Sequence, residues 1–195
     1  MKDWVGNSNS IYKTIGASNH ADADRETNDF YATEPKAVEM LLQYEQFSKN
    51  IWECACGENH LTDILINHNY NVRYSDIVDR CGNEVNNFLS PDNTFFSGDI
   101  ITNPPYKYAT EFCYKALEII PNKRKVAMFM RLLFLEGKAR KKLFETYPPK
   151  TIYVFSSRIK CAKNGDFESN KSNAVAYAWF VWEKGYKGET TIKWL

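Results

Sequence analysis

Short apolar segments that alternate with longer amphipathic ones constrain the fold of this chain more than any other feature. Residues 51–52 and 100–101 are typical of short buried strands, whereas in 109–120 apolar residues recur every three or four positions, which indicates a helix with one buried face. Strands that alternate with helices form a mainly parallel sheet covered by helices. The predicted strands are 50–53, 72–75, 99–102, 126–133, 151–156, 174–182 and 190–194, and the predicted helices begin near Thr33 and occupy 61–68, 109–120 and 136–147.

The expected domain organisation follows from chain length and from where the periodic pattern begins. At 195 residues, 44% of them hydrophobic, the chain can bury one core and has little left for a second. Residues 1–28 are polar and lack periodicity, so we expect them to lie outside a single domain spanning residues 29–195. Thr33, followed by Pro35, predicts a helix N-terminus with Thr33 as its cap. The last two strands have no helix between them, which predicts an antiparallel closing hairpin.

Charge and cysteine content narrow the possible environments. With 25 Lys and Arg against 24 Asp and Glu, the net charge is +1, which excludes a polycation that coats nucleic acid indiscriminately. Any contact with nucleic acid must therefore come from a local patch. The five cysteines show no disulfide framework, and the sequence has no signal-peptide pattern and no apolar segment of membrane-spanning length. We expect a soluble protein of the reducing cytoplasm that makes no contact with a membrane.

A tetrapeptide directly after the predicted strand 99–102 points to chemistry on a planar amino group. It consists of Asn103, Pro104, Pro105 and Tyr106, and it stands at a strand end, where open α/β sheets bind their ligands. The two prolines make the turn rigid and remove backbone donors. The Asn103 side chain and the Pro104 carbonyl then offer two acceptors for the N–H bonds of an amino group, and they would stabilise positive charge that develops on its nitrogen. Tyr106 would stack on the ring that carries this group.

A second pattern, upstream, is typical of a nucleoside-binding loop. Glu53 ends a predicted strand, and Gly57 follows in a turn that allows the backbone to approach a ligand closely. Asp76 ends the next strand, 19 residues after Gly57. That interval is close to the roughly 20 residues expected between such a loop and a carboxylate that binds ribose hydroxyls.

With these two patterns, the chain resembles the S-adenosylmethionine-dependent N6-adenine DNA methyltransferases, in particular their short phage-encoded members. The resemblance spans nearly all of residues 29–195. It implies a Rossmann-like methyltransferase fold with a seven-stranded, mainly parallel sheet, S-adenosylmethionine as cofactor, and a flipped adenine of DNA as methyl acceptor. A phage-encoded member would work in the cytoplasm of its bacterial host. The implied cofactor-binding residues are Tyr31, Thr33, Glu53, Ala55, Gly57, Asp76, Ile77, Asn87, Phe88 and Asn103.

Three features depart from this family's pattern. Asn59 replaces the usual second glycine of the cofactor loop, a change that Asn tolerates because it adopts left-handed backbone conformations. Asn87 stands where the family usually has Asp at the cofactor adenine. The sequence to Leu195 shows no separate target-recognition region, so a DNA sequence preference is not predicted from it.

Candidate DNA contacts lie in two later segments. By its position in a loop between strands, Phe167 is the aromatic residue that would cover the flipped base, as in the family that the chain resembles. Residues 123–142 contain eight Lys and Arg against one acid, and within them Lys138 and Arg140 are the candidate contacts to DNA phosphates. A basic helix face is equally often a solvated surface, and both interpretations stay open.

No metal site is predicted. Cys54, Cys56, His60 and Cys81 lack the usual spacing of zinc ligands, so buried thiols are the favoured interpretation. Methyl transfer from a sulfonium, which is already an activated donor, requires no metal.

Two alternatives to a DNA methyltransferase remain at this point. N5-glutamine methyltransferases and RNA adenine methyltransferases place the same tetrapeptide over an amide or amino nitrogen, although the N-terminal element at Thr33 and the loop at Glu53 look more like the DNA enzymes. The substitutions Asn59 and Asn87 would also suit a cofactor-binding or DNA-binding module that has lost catalysis.

Overall fold

The computed structural model describes residues 31–159, 161–163 and 175–195, and these follow the predicted alternation of strands and helices. The strands are β1 (Tyr31–Thr33), β2 (Asn50–Glu53), β3 (Asn71–Asp76), β4 (Glu84–Val85), β5 (Asp99–Thr102), β6 (Lys125–Arg131), β7 (Thr151–Val154), β8 (Cys161–Lys163), β9 (Tyr177–Glu183) and β10 (Thr191–Trp194). The α-helices are α1 (Pro35–Tyr44), α2 (His60–Asn67), α3 (Ala109–Ile119) and α4 (Lys138–Thr146), and Tyr106–Tyr108 and Leu132–Leu135 form short 3-10 turns.

Eight of these strands form one sheet in the order β10-β7-β9-β6-β5-β2-β3-β4. All neighbouring pairs are parallel except those of β9, which lies antiparallel between β6 and β7. The predicted hairpin of the last two strands is therefore wrong in detail, because β10 pairs with β7 at the sheet edge. The reason is burial: β9 is buried from Tyr177 to Trp182 and needs a partner on both sides, whereas β10 is exposed along its length. The strand count is eight instead of seven because the short strand β4, which was not predicted, pairs with β3.

Helices cover both faces of the sheet. The core on one face joins Trp52, Ile100 and Met128 of the strands to the buried sides of α3 and α4, including Phe112 and Leu143. The core on the other face packs α1 and α2 against residues such as Ile101, Phe129 and Trp179. The buried stripe predicted for 109–120 is confirmed at Ala109, Phe112, Cys113, Ala116, Leu117 and Ile120. No helix in the described part of the chain is long and apolar enough to cross a membrane.

The entry into the domain differs from the expectation for Thr33. This residue ends β1 and pairs with Cys161 of β8, so α1 begins at Pro35 and its N-cap position is Glu34. Proline disfavours a helical backbone in the residue before it, and Glu34 is accordingly extended, with φ −56° and ψ 128°. The strand pairing that removes Thr33 from the cap comes from a segment 128 residues away, which local sequence does not reveal.

Asp99, the first residue of β5, connects the amino ends of β2, β5 and β6 through hydrogen bonds. Its carboxylate accepts hydrogen bonds from the backbone N–H of Lys125, at 2.8 Å, and of Ser48, at 2.5 Å. The Asp99 N–H donates in return to the Ser48 hydroxyl at 3.1 Å. Asp99 is only 2% exposed, and Ser48 and Lys125 are half-buried, so water has only partial access to replace the carboxylate at these donors.

Replacement of Asp99 by Ala is therefore expected to destabilise the domain by roughly 1–3 kcal/mol, because two backbone N–H groups of half-buried residues lose their acceptor. Urea unfolding followed by tryptophan fluorescence measures the change. The control is Asp92→Ala, which removes an exposed carboxylate that bonds to Ser90 two residues away. Equal free energies of unfolding for the two variants would contradict the role given to Asp99.

Candidate active site

The candidate site lies where β2, β3, β5 and β6 end, at the carboxyl edge of the sheet. These four strands are parallel, so their ends and the loops that follow meet at one edge. From β2 the chain adds β3 and β4 on one side and β5 and β6 on the other. The gap between β2 and β5 is thus the topological switch point, the place where open α/β sheets bind ligands.

The loop after β2 is held in a tight turn by backbone hydrogen bonds. The N–H of Cys56 donates to the carbonyl of Ser75 at 3.0 Å, and the N–H of Asn59 donates to the carbonyl of Cys56 at 2.9 Å. Gly57 and Asn59 both have left-handed backbones, with φ of 55° and 66°. Asn59 occupies the N-cap position of α2 in this conformation, which explains how the loop accommodates Asn in place of a glycine.

Asp76 connects the ends of β2 and β3. One oxygen, Oδ2, accepts a hydrogen bond from the N–H of Gly57 at 2.9 Å. The other, Oδ1, accepts from the N–H of Val78 at 3.2 Å and from the guanidinium of Arg80 at 3.0 Å. The spacing in the sequence predicted a carboxylate beside the loop, but not that this carboxylate also fixes the Gly57 backbone.

Glu53 is a buried carboxyl group between the two loops of the site. It is 1% exposed, and its Oε1 accepts a hydrogen bond from the Thr102 hydroxyl of β5 at 2.5 Å. Its Oε2 is also buried and accepts no hydrogen bond from the described residues. Desolvation raises the pKa of Glu53 to about 8; the Thr102 hydrogen bond opposes this shift, and the nearby charge of Asp76 adds to it.

The predicted catalytic tetrapeptide follows Thr102 without an intervening residue. Asn103 is half-buried and Pro104 is buried, so the loop is packed against the domain. The carbonyl of Pro105 accepts a hydrogen bond from the N–H of Tyr108 at 2.9 Å, which closes the 3-10 turn that leads into α3. The loop is therefore a short rigid connection between β5 and α3, as the two prolines predicted.

A column of aromatic rings supports Tyr106. Its ring centre lies 6.3 Å from that of Tyr177 in β9, and Tyr177 stacks on Phe129 of β6 at 5.0 Å with an interplanar angle of 13°. The guanidinium carbon of Arg131 also lies 4.9 Å from the centre of the Tyr106 ring. Sequence reasoning missed Tyr177, and it included Arg131 only as one of the eight Lys and Arg of residues 123–142. The available signal was their position, because Arg131 ends β6, the strand next to β5, and Tyr177 begins β9 directly opposite Arg131.

Other predicted cofactor residues differ in their surroundings. Phe88 is 2% exposed and packs between Trp52, at 5.2 Å, and Phe112, at 4.9 Å between ring centres, so it belongs to the core. Asn87 is exposed and its amide oxygen accepts a hydrogen bond from the N–H of Leu89 at 3.1 Å. Ile77 is 57% exposed beyond the end of β3. Ala55 is half-buried and Thr33 is buried.

Arg140 has a structural role that the sequence did not predict. Its guanidinium donates to the backbone carbonyls of Phe134, at 2.7 Å, and of Glu136, and lies 5.0 Å from the Phe134 ring centre. Arg140 thus closes the turn between β6 and α4, and Lys138 is exposed at the start of α4. Contacts of these two residues with DNA stay a prediction. Phe167 lies outside the described residues, as does the side chain of Tyr31.

Within the described ranges, no cluster of three or more His, Cys, Asp or Glu side chains has an arrangement that could hold a metal ion. The thiols of Cys54, Cys56 and Cys113 are buried, and that of Cys81 is exposed. Burial raises the pKa of each of the three buried thiols, so they remain neutral at physiological pH.

Comparisons with known proteins identify the fold. No protein-family profile and no curated protein sequence matches the chain. Among solved structures, it resembles a Listeria monocytogenes protein assigned as a class I S-adenosylmethionine-dependent methyltransferase, with TM-score 0.54, 13% identity, and coverage of 83% of this chain and 62% of that one. A protein of Agrobacterium tumefaciens assigned as an O-methyltransferase matches with TM-score 0.57, 10% identity, and coverage of 83% and 85%.

The methyltransferase subunit of the type I restriction enzyme EcoKI also matches, with TM-score 0.57 and 13% identity over 84% of this chain and 45% of that subunit. The chain thus spans less than two thirds of the Listeria protein and less than half of the EcoKI subunit. At these identities the matches concern the fold, which is the Rossmann-like fold of class I S-adenosylmethionine-dependent methyltransferases, as the resemblance in the sequence implied.

Replacing Glu53 with Gln is expected to stabilise the protein at high pH and to change little at low pH. Below pH 4.5, its ordinary pKa, the carboxyl group is protonated in both the folded and the unfolded chain, so burial carries no charge penalty. Between pH 4.5 and about 8, the unfolded chain releases the proton of this carboxyl group while the folded chain keeps it, so stability falls as the pH rises. Above about 8 the folded chain must bury a charged group, and the loss of stability is complete. Urea unfolding of both proteins at about pH 5 and about pH 9 measures this difference.

The matched control is Glu58→Gln, in the same loop but exposed. Its effect on stability should not grow with pH in this way. A difference between wild type and Glu53→Gln that is the same at both pH values would show that Glu53 is not held neutral by burial.

Proposed function

We propose that this protein is an S-adenosylmethionine-dependent methyltransferase that acts on the N6 amino group of adenine in DNA. The observation that carries the proposal is the position of Asn103, Pro104, Pro105 and Tyr106 at the end of β5, directly beside the Glu53 loop at the switch point. The fold supports methyl transfer, and the tetrapeptide narrows the acceptor to a planar group that carries an NH2.

The residues around the β2 loop fit S-adenosylmethionine. Glu53 Oε2 is a buried oxygen that the described residues leave without a hydrogen bond, and a cationic amino group of a ligand would bind it and favour the ionised carboxylate. Asp76 lies beside the loop, where its carboxylate would accept hydrogen bonds from ribose hydroxyls, and its bond to Gly57 fixes the backbone that a nucleoside would approach. When bound, S-adenosylmethionine would supply a methyl group that its sulfonium has already activated.

Asn103 would prepare the acceptor nitrogen. An amino group conjugated to a ring is a poor nucleophile because its lone pair is delocalised. Hydrogen bonds from its two N–H groups to the Asn103 amide oxygen and the Pro104 carbonyl would favour a pyramidal nitrogen with a localised lone pair. The same acceptors would stabilise the positive charge that develops during transfer, and the methylated nitrogen then loses its proton without a strong base.

The choice of DNA over other acceptors rests on two supports. The N-terminal element with Tyr31 and Thr33 and the Glu53 loop resemble those of the DNA enzymes more than those of glutamine or RNA methyltransferases. The similarity of fold extends to the EcoKI subunit, a DNA restriction-modification protein. RNA and protein acceptors are the alternatives that the experiment separates.

The direct test supplies radiolabelled S-adenosylmethionine with unmethylated duplex DNA, RNA and a glutamine-containing protein substrate in parallel, followed by digestion of the products. N6-methyladenine from DNA is the expected product. Label only in RNA or in protein would contradict the proposed acceptor. Cofactor binding without transfer to any of them would indicate a module that has lost catalysis.

In the same assay, Asn103→Ala is expected to lower the transfer rate at least about a hundredfold, because it removes an acceptor that acts on the developing charge. Cofactor affinity should change by no more than a few-fold. Asn67→Ala, an exposed position at the end of α2, is the control and should transfer normally. Joint loss of folding and cofactor binding in Asn103→Ala would contradict a role confined to the acceptor.

Asp76→Ala is expected to weaken cofactor binding roughly tenfold or more, because it removes both a candidate ribose acceptor and the carboxylate that orients Gly57. Isothermal titration calorimetry with S-adenosylhomocysteine measures the affinity. Asp63→Ala, an exposed acid on α2, should bind like the wild type. An unchanged dissociation constant in a folded Asp76→Ala variant would remove Asp76 from the cofactor site.

A further inference from the structure

Arg131 lies at the exposed end of β6, where neither the hydrophobic core nor the strand pairing requires a cation. The five residues before it in β6 are buried, and Arg131 is the exposed last residue of the strand. β6 lies next to β5, so Arg131 stands at the carboxyl edge beside the loop 103–106. A surface cation at this point has direct access to whatever enters the site.

The Arg131 guanidinium lies against the ring of Tyr106, with 4.9 Å between its central carbon and the ring centre. Arg131 and Tyr177 are opposite each other in the pairing of β6 and β9, so their side chains leave the sheet on the same face. Both side chains therefore flank Tyr106. Removal of Arg131 would leave the position of the ring less restricted.

The charge of Arg131 is not neutralised within the part of the chain that the structure describes, where it takes part in no ion pair. At the other end of the same strand, Lys125 is paired with Glu45 at 2.5 Å. A guanidinium that lies over a ring uses its flat face for that contact and keeps its N–H groups, which point outward in its plane, available. Those donors match the geometry of a phosphate.

We propose that Arg131 both positions Tyr106 and binds the DNA backbone phosphate next to the flipped adenine. The inference deepens the proposed function, on which it rests. A single side chain would then both bind the DNA backbone and position the ring on which the base stacks. A peptide glutamine has no phosphodiester, so this role is one that a polynucleotide acceptor explains and a protein acceptor does not.

The experiment compares Arg131→Gln with Arg124→Gln, a charge-matched change just before the amino end of the same strand. Binding of a fluorescein-labelled duplex of mixed sequence is followed by anisotropy over a range of salt concentrations, with S-adenosylhomocysteine present. Arg131→Gln should weaken binding roughly tenfold at low salt and lower the slope of log affinity against log salt by about one, the change expected for one lost phosphate contact. Arg124→Gln should leave both unchanged.

A second variant separates positioning from charge. Arg131→Lys keeps the cation but lacks the planar group that lies on Tyr106. It should retain the wild-type salt slope and yet reduce kcat for methyl transfer. In a Tyr106→Leu background, where there is no ring to position, the further change from Arg131 to Lys should reduce kcat little.

The outcomes distinguish this inference from the proposed function. If the wild type binds and methylates DNA but Arg131→Gln keeps its affinity and salt slope, the phosphate contact is wrong while the function stands. If Arg131→Lys reduces kcat equally with and without Tyr106, the positioning role is wrong. A wild type that neither binds nor methylates DNA would overturn both the function and the inference.

Discussion

The buried hydrogen bond between Thr102 and Glu53 joins the ends of the two strands on either side of the switch point, and the arrangement of the site depends on it. β2 leads directly into the Gly57 loop, and β5 leads directly into Asn103. Because the two strands are parallel neighbours and are joined at their last residues, the two loops must leave the sheet side by side. A donor bound to the first loop and an acceptor bound to the second would meet without any large movement.

The acceptor of this bond, Glu53, is a carboxyl group whose burial lowers the stability of the fold. Glu53 is buried with a strongly raised pKa, and Asp76 lies close enough to raise it further. A fold that needed only stability would place apolar side chains at these strand ends. Buried carboxyl groups with a shifted pKa in a ligand-binding position are more typical of functional sites, where a charged partner offsets their desolvation.

The sequence predicted the parts of this fold that depend on local pattern. The alternation of apolar strands and amphipathic helices indicated the central parallel sheet, and the stripe in 109–120 indicated α3 with its buried face. Features that depend on distant partners were not predictable in this way. Thr33 is not the helix cap because it pairs with Cys161 in a strand. β10 pairs with β7 because the buried strand β9 is already paired on both sides. In the site, spacing placed Asp76 beside the loop, but only the folded chain revealed its bond to Gly57.

The distribution of ion pairs explains how a chain with a net charge of +1 could still hold a polyanion locally. At the amino ends of β6 and β7, Lys125 pairs with Glu45, and Lys150 pairs with Glu183, so carboxylates neutralise these two cations. At the carboxyl edge, Arg80 pairs with Asp76, whereas Arg131 and Lys107 form no ion pair among the described residues and lie against the rings of Tyr106 and Tyr108. A cation held by a ring keeps its full charge, whereas one held by a carboxylate does not. Tyr106 and Tyr108 therefore hold positive charge at this edge of the sheet without cancelling it.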